Sequence, residues 1–468
     1  MNKCLNIIIA VIVVFTGGCS LAPEHRRPAS PVPSEWPRGA AYKDEKTVTG
    51  VPKAAELKWQ EFFTDDKFRQ VVELALNNNR DLRIAVFNVE RARALYGVQR
   101  AELLPTVNAV GAGSKERVPA DLSSNGSVTI KERYSVDLGI SSWEIDFFGR
   151  IRNLEDRALQ EYLATDQARN SARILLISTV ANAYLKLATD GENLKLAQST
   201  LETQETAYKL IRKRYDLGII SELDLNRAQS QVDTAKADVA RYTQFVAQDE
   251  NALNLLAGVP VPQMLLSREL VSVSFVKDFS PGLSSEVLLL RPDVLAAEHQ
   301  LKAANANIGA ARAAFFPRIA LTTAVGTASA ELSGLFKGGS ATWSFAPQIA
   351  IPIFDARTWS AYDVTKADRE ISVAVYEKAI QNAFREVADS LAVQGTVDQQ
   401  IAAQQSLVNV AADIYRLSNA RYNKGIDSYL SVLDAQRSLY VAQQGLIGLQ
   451  LVRLTNQVTL YKALGGGQ

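Results

Sequence analysis

Apolar and polar residues alternate from Val128 to Ile140. Val128, Ile130, Tyr134, Val136, Leu138 and Ile140 fall on one side, and Thr129, Lys131, Arg133, Ser135, Asp137 and Gly139 on the other. A period of two marks a half-buried strand. The phase flips at Ser141-Ser142, after which Trp143, Ile145 and Phe147 carry the apolar side, as the extra residue of a bulge requires. Ile319, Leu321 and Val325, then Trp343, Phe345, Ile349, Ile351 and Ile353, repeat the pattern in the second half. Each run of strand-forming residues is about ten positions long, enough to cross a bilayer when tilted. From about Arg150 to Arg212, and again from about Thr358 to Asn419, there is no proline and little glycine. These stretches predict helices on the order of 90 Å long at 1.5 Å per residue. Their apolar stripes, such as Ile371, Val375 and Ala379, or Val387 and Leu391, are narrow. A coiled-coil stalk has the same helical pattern. An earlier helical stretch from about Asp66 ends before Pro105, since proline disfavours helical geometry in the residue before it.

The two halves resemble each other. Arg214-Tyr215-Asp216-Leu217-Gly218-Ile219-Ile220-Ser221 matches Arg421-Tyr422-Asn423-Lys424-Gly425-Ile426-Asp427-Ser428, with Leu223 against Leu430 and Ala228-Gln229 against Ala435-Gln436. A second match pairs Asp81, Ala85, Gly97, Arg100 and Pro105 with Asp293, Ala297, Gly309, Arg312 and Pro317. One structural unit has been duplicated, each copy reading helix, two strands, long helix, turn, helix. The expected organisation is a signal peptide over 1–18, a lipid-anchored belt segment over 19–65, a first repeat over 66–259, a middle belt segment over 260–283, a second repeat over 284–460 and a tail over 461–468.

The amino terminus carries Lys3, an apolar run from Leu5 to Phe15, and Gly17-Gly18-Cys19-Ser20, a secretory signal leading to a lipidated Cys19. Thr16 stands where bacterial lipoprotein signals usually carry Leu, so cleavage near Cys19 leaving a free thiol is the alternative. Ser20 directly after the cysteine resembles the signal for outer-membrane sorting. Beyond Cys19 no apolar stretch approaches the ~20 residues of a membrane helix, so any span is made by strands. Composition removes other classes. The 51 basic and 50 acidic residues give a net charge of +1, with no footprint for nucleic acid. The two cysteines, Cys4 and Cys19, and the two histidines, His25 and His299, leave no disulfide framework or thiolate metal site in the mature chain. No phosphate-cradling loop, nucleophile elbow or zinc-protease motif occurs, so the chain reads as no enzyme and needs no cofactor.

Four strands cannot close a barrel, and an open sheet in lipid leaves two unsatisfied edges. Closure therefore needs several chains. Ser142-Trp143-Glu144-Ile145-Asp146-Phe147-Phe148-Gly149-Arg150 resembles the strand-to-helix corner of the TolC-like outer membrane factor family. Leu289-Leu290-Arg291-Pro292-Asp293-Val294 resembles its second-half helix start, and Arg421-Tyr422 through Leu439 its last hairpin. With the signal region, the resemblance covers essentially the whole mature chain and lies nearest the lipoprotein branch serving multidrug efflux pumps of the RND type. It implies a mixed α and β membrane protein: a homotrimer with a 12-stranded outer-membrane β-barrel, continued by a 12-helix periplasmic α-barrel. It further implies an exit duct for drugs or other small toxic compounds, lipid-anchored in the outer membrane, with a periplasmic adaptor and an inner-membrane RND-type transporter as partners. A duct for type I protein secretion, in the same family, is the alternative; an exported coiled-coil scaffold lipoprotein is a more distant one, disfavoured by the strands.

The resemblance places adaptor contacts at Leu217, Gly218 and Ile219 and at Lys424, Gly425 and Ile426, and gate residues at Leu430, Asp434, Tyr422 and Asp224. Asp427, Leu430 and Asp434 stand at i, i+3 and i+7 on one helix face. Repeated around a narrow end, Asp434 would form a ring of like charges and Leu430 an apolar constriction. A Tyr422–Asp224 hydrogen bond would hold such a gate closed. The local alternative is capping, because Asp224 follows Ser221 by three residues and Asp427 precedes its own helix.

Overall fold

The computed structural model describes residues 20–42, 54, 57–124, 126–270, 275 and 284–467. In chain order the elements are α1 (Trp59–Phe62), α2 (Asp66–Asn78), α3 (Arg80–Ala101), β1 (Val107–Val118), β2 (Thr129–Glu144), α4 (Arg150–Asp216), α5 (Glu222–Ala257), α6 (Pro292–Ala313), β3 (Arg318–Ser329), β4 (Ala341–Ala350), α7 (Ala356–Asn423) and α8 (Tyr429–Ala463). They form two compact units, one drawn from Met1–Ala29, Asn88–Asp166 and Ala296–Tyr376, the other from Ser30–Phe87, Gln167–Leu295 and Glu377–Gln468.

The first unit holds one antiparallel sheet of order β1-β2-β3-β4. Its register sorts the side chains by chemistry. Val107, Ile140, Thr323 and Phe345 stand in one row, and Ala109, Leu138, Val325 and Trp343 in the next. The opposite face is built from rows such as Asn108, Gly139, Ala324 and Ser344, or Val110, Asp137, Gly326 and Thr342. One face is apolar and the other is mostly polar or small. The register shifts between Ile140 and Trp143, where Ser142 sits at φ 53° and donates its N–H to Thr322 Oγ1 at 3.2 Å. That bulge returns Trp143 to the face of Ile140, opposite Leu321, in agreement with the phase flip in the sequence. At the strand-to-helix corner, Glu144 takes a two-pronged ion pair from Arg150 at 2.8 and 2.9 Å, and Asp146 accepts the Arg152 N–H at 2.9 Å. The corner motif thus neutralises its carboxylates on the first turn of α4, where the helix dipole also favours negative charge.

The second unit is helical. Asp65 caps α2 through Lys67 and Phe68 N–H groups. At Asn79 the chain breaks between α2 and α3; its Oδ1 accepts Leu82 N–H and its amide donates to Leu256 O, both at 2.9 Å. Helices α4 and α7 run 67 and 68 residues. Each carries an interior glycine under a crossing segment. Arg268 lies where a Cβ on Gly191 would stand, its own Cβ, O and Cα 2.7 to 2.9 Å away, and Ala41 O lies against Gly395. Close packing thereby offsets the roughly 1 kcal/mol that a glycine costs inside a helix. Among the described residues no helix is long and apolar enough to cross a membrane.

Candidate functional site

Helices α4 and α7 end in the same local geometry. Gly218 (φ 68°) receives the chain after α4, where Gly218 N–H donates to Tyr215 O at 2.8 Å and Ile219 N–H to Arg214 O at 2.9 Å. Gly425 (φ 72°) repeats this with Tyr422 O at 2.9 Å and Arg421 O at 3.0 Å. Both are Schellman motifs, which satisfy the last helical carbonyls and need a left-handed residue. Among the described residues, chain neighbours aside, nothing lies within 4 Å of a Cβ built on either glycine, so backbone conformation rather than space selects them. Gly218→Ala and Gly425→Ala are each expected to cost about 1–2 kcal/mol locally. Faster amide exchange at Ile219 and Ile426, whose N–H groups close the motifs, is the measurement; asparagine at either site should recover part of the protection.

The two turns are followed by different locks. Ser221 caps α5, accepting Asp224 N–H at 3.2 Å and donating its hydroxyl to the Asp224 carboxylate at 2.9 Å. Asp224 also lies 3.6 Å from Arg227. In the second turn Arg421 holds Asp427 at 2.6 and 3.1 Å, and that pairing keeps the Asp427 carboxyl below its ordinary range. The first turn carries Ile220 where the second carries Asp427, so Arg214 has no matching carboxylate. Its guanidinium lies instead over the Tyr422 ring, 5.1 Å from the centroid.

Beneath the turns, Ile211, Leu225, Ala228, Tyr429, Val432 and Leu433 are buried together, with Tyr208, Tyr215, Ile220, Tyr415 and Tyr422 packed against them. Tyr429 lies 5.2 Å from Tyr422, and burial, reinforced by Tyr422 and Tyr415, pushes its hydroxyl up to about 12. Tyr422 and Asp224, expected to hydrogen-bond, do not; each is engaged elsewhere, Tyr422 by the Arg214 guanidinium and the Tyr429 ring, Asp224 by Ser221. Asp427 does not cap α8, whose N-cap is Ser428 without a side-chain bond. On the first turns of α8, Tyr429, Val432 and Leu433 point into the cluster, while Leu430 and Asp434 are exposed. Asp434 has no ion-pair partner among the described residues. Leu217, Ile219 and Ile426 are also exposed, at 74%, 66% and 58%. The tip thus pairs a buried aromatic core with an exposed apolar rim.

One residue went unassigned in the sequence beyond its place in a motif. Arg291 is buried, gives Nε and Nη2 to Asp293 at 3.0 and 2.7 Å, Nη2 to Glu386 at 3.1 Å, and Nη1 to Ala463 O at 2.7 Å. It joins the start of α6, the body of α7 and the last residue of α8. Cys19 lies outside the described residues; Ser20 after it donates to Asn153 Oδ1 at 2.8 Å, and Leu21 O accepts from Arg312 at 3.0 Å.

Comparison with known proteins gives a consistent result. The family model described as "Outer membrane efflux protein" matches residues 71–259 and 283–466. The chain is 46% identical over 468 residues to the probable efflux pump outer membrane protein TtgC of Pseudomonas putida, covering all of this chain and 96% of that protein. It is 47% identical over 460 residues to the solvent efflux pump outer membrane protein SrpC of Pseudomonas putida, covering 97% of each. Among solved structures, the open state of the MtrE outer membrane channel of Neisseria gonorrhoeae superposes with a TM-score of 0.86 at 38% identity, over 96% of this chain and 98% of that one.

Proposed function

The chain belongs to the outer membrane efflux protein family and is an outer-membrane efflux channel, and we propose that it acts as a homotrimeric exit duct for small toxic compounds. The observation that carries the trimeric reading is the sheet. Its apolar rows are exposed, with Trp343 at 80%, Phe345 at 63% and Ile349 at 64%, while the other face carries Asp137, Ser344 and Gln348. An apolar face turned out and a polar face turned in is the arrangement of a barrel wall in lipid. Strands β1 and β4 are the sheet's two edges, and lipid offers an edge no hydrogen-bond partner. Three copies would supply twelve strands and pair every edge.

Relatives named as pump components support partners on both sides. In this reading the exposed Leu217, Gly218, Ile219, Lys424, Gly425 and Ile426 meet a periplasmic adaptor, which links the duct to an inner-membrane transporter of the RND type. Leu430 and Asp434 line the narrow end, and α7 and α8 swing outward when the adaptor engages, like an iris. Cys19 carries the lipid that adds a second anchor. The names of the relatives favour efflux over protein secretion. Detergent-extracted protein is expected to migrate as a trimer that heating converts to monomer, and to insert conducting pores into planar bilayers. A monomer without conductance would refute the duct.

A further inference from the structure

A groove of about 620 Å³ opens in the first unit beside the amino-terminal arm, lined by Pro23, Arg312, Tyr362, Asp363, Lys366 and Arg369, among others. We propose that it binds the headgroup of a zwitterionic phospholipid, one carrying both a phosphate and an ammonium group. The inference rests on the membrane-spanning reading of the sheet.

The groove is ordered along α7. Helix α7 begins six residues after the end of β4, and the intervening Ile351, Ile353 and Phe354 are exposed at 58%, 91% and 88%. Trp359, one turn into α7, is 62% exposed and packs edge-on against Phe315 at 4.7 Å. Amphipathic aromatic rings favour the headgroup level of a bilayer. Tyr362, Lys366 and Arg369 follow at i+3, i+7 and i+10 from Trp359, within about 15 Å along the axis, and helical side chains lean back toward the amino-terminal end. Apolar, aromatic and charged zones therefore succeed one another as acyl chain, interface and headgroup do.

The charges suit a zwitterion. Arg312 gives Nε to Tyr362 OH at 3.3 Å and one Nη to Leu21 O, leaving its other Nη without a hydrogen bond among the described residues. Lys366 lies 4.7 Å over the Tyr362 ring and 2.6 Å from Asp363. An arginine edge and a lysine tip across one tyrosine make a seat for phosphate. Asp363, 69% exposed at its side chain, and Glu370, which pairs with Arg369, keep further carboxylate lone pairs with which to take the ammonium. Asp363 and Glu370 already pair with Lys366 and Arg369, so the lining presents acceptors beside its donors, and only a ligand carrying both signs of charge uses both.

The test is native mass spectrometry of the delipidated, detergent-purified protein incubated with phosphatidylethanolamine, phosphatidylglycerol or inorganic phosphate. Wild type is expected to retain phosphatidylethanolamine in preference to phosphatidylglycerol, with Lys366→Glu about tenfold weaker. Asp363→Asn is expected to shift the preference toward phosphatidylglycerol. Trimer migration and conductance of both variants are expected to match wild type, and both are measured alongside the lipid retention. Equal retention by wild type and Lys366→Glu, no preference between the lipids, or displacement of the lipid by inorganic phosphate each overturns the proposal. Loss of the trimer in wild type itself would instead overturn the duct reading beneath it.

Discussion

Single channels carrying Leu430→Ala/Asp434→Ala are expected to conduct about fourfold more current than wild type, because conductance of a short constriction follows its cross-section and doubling the radius quadruples it. Both side chains are exposed at the start of α8, whereas Tyr429, Val432 and Leu433 hold that helix in its cluster. Truncating the two should therefore change stability by no more than about 0.5 kcal/mol, and an altered current would report the pore rather than unfolding. Val441→Ala, also exposed on α8, serves as the control and should leave conductance unchanged. The closing contact can be tested in the same recordings. Tyr422 meets Arg214 through its ring and makes no hydrogen bond to Asp224, so Tyr422→Phe should behave as wild type and Tyr422→Ala should open more often. A double variant with wild-type conductance would remove Leu430 and Asp434 from the gate.

The parts of this molecule legible in its sequence are those where one local rule acts without competition. Alternation gave β2, β3 and β4, and even the bulge at Ser142, because one face of the sheet stays apolar through a change of phase. Strand β1 is less readable: Gly111, Gly113, Ser114, Lys115 and Glu116 break the alternation, and its pairing with β2 supplies what its side chains do not. The break at Asn79 interrupts a stretch that periodicity reads as one helix; the run Asn77-Asn78-Asn79 was its available signal, since asparagine both ends and caps helices. At the tip, the glycines were readable because a left-handed turn restricts the residue that follows a helix. The partners of Tyr422 and Asp224 were not. Each had a nearer competitor, Ser221 for the carboxylate and Arg214 for the ring, and competition among neighbours is decided by geometry that residue spacing leaves open.

Arg291→Met is expected to destabilise the protein by about 3–5 kcal/mol, the largest loss anticipated for a single substitution here. The guanidinium is buried, and its donors serve two carboxylates and the carbonyl of Ala463 at the end of α8. A methionine fills the space but leaves Asp293 without its charged partner and Glu386 with only Lys462 at 3.9 Å, and an unpaired carboxylate in a partly buried site is costly. Lysine should rescue poorly, since one ammonium cannot span Asp293, Glu386 and Ala463 O in the planar geometry that the guanidinium provides. The pH dependence gives an independent reading. Burial raises the Asp293 pKa, but the hydrogen bonds and charge of Arg291 outweigh it and hold the carboxyl below its ordinary value. A group lowered on folding stabilises above its unfolded pKa, about 3.9, and loses that contribution as pH falls through the folded value. Denaturant midpoints in detergent should therefore decline in wild type below about pH 4, and this part of the decline should be absent from Arg291→Met. If instead the variant matched wild type in midpoint and in acid slope, the three helices would be held by their apolar contacts alone. Loss of both would place the joint between α6, α7 and α8 on one buried arginine.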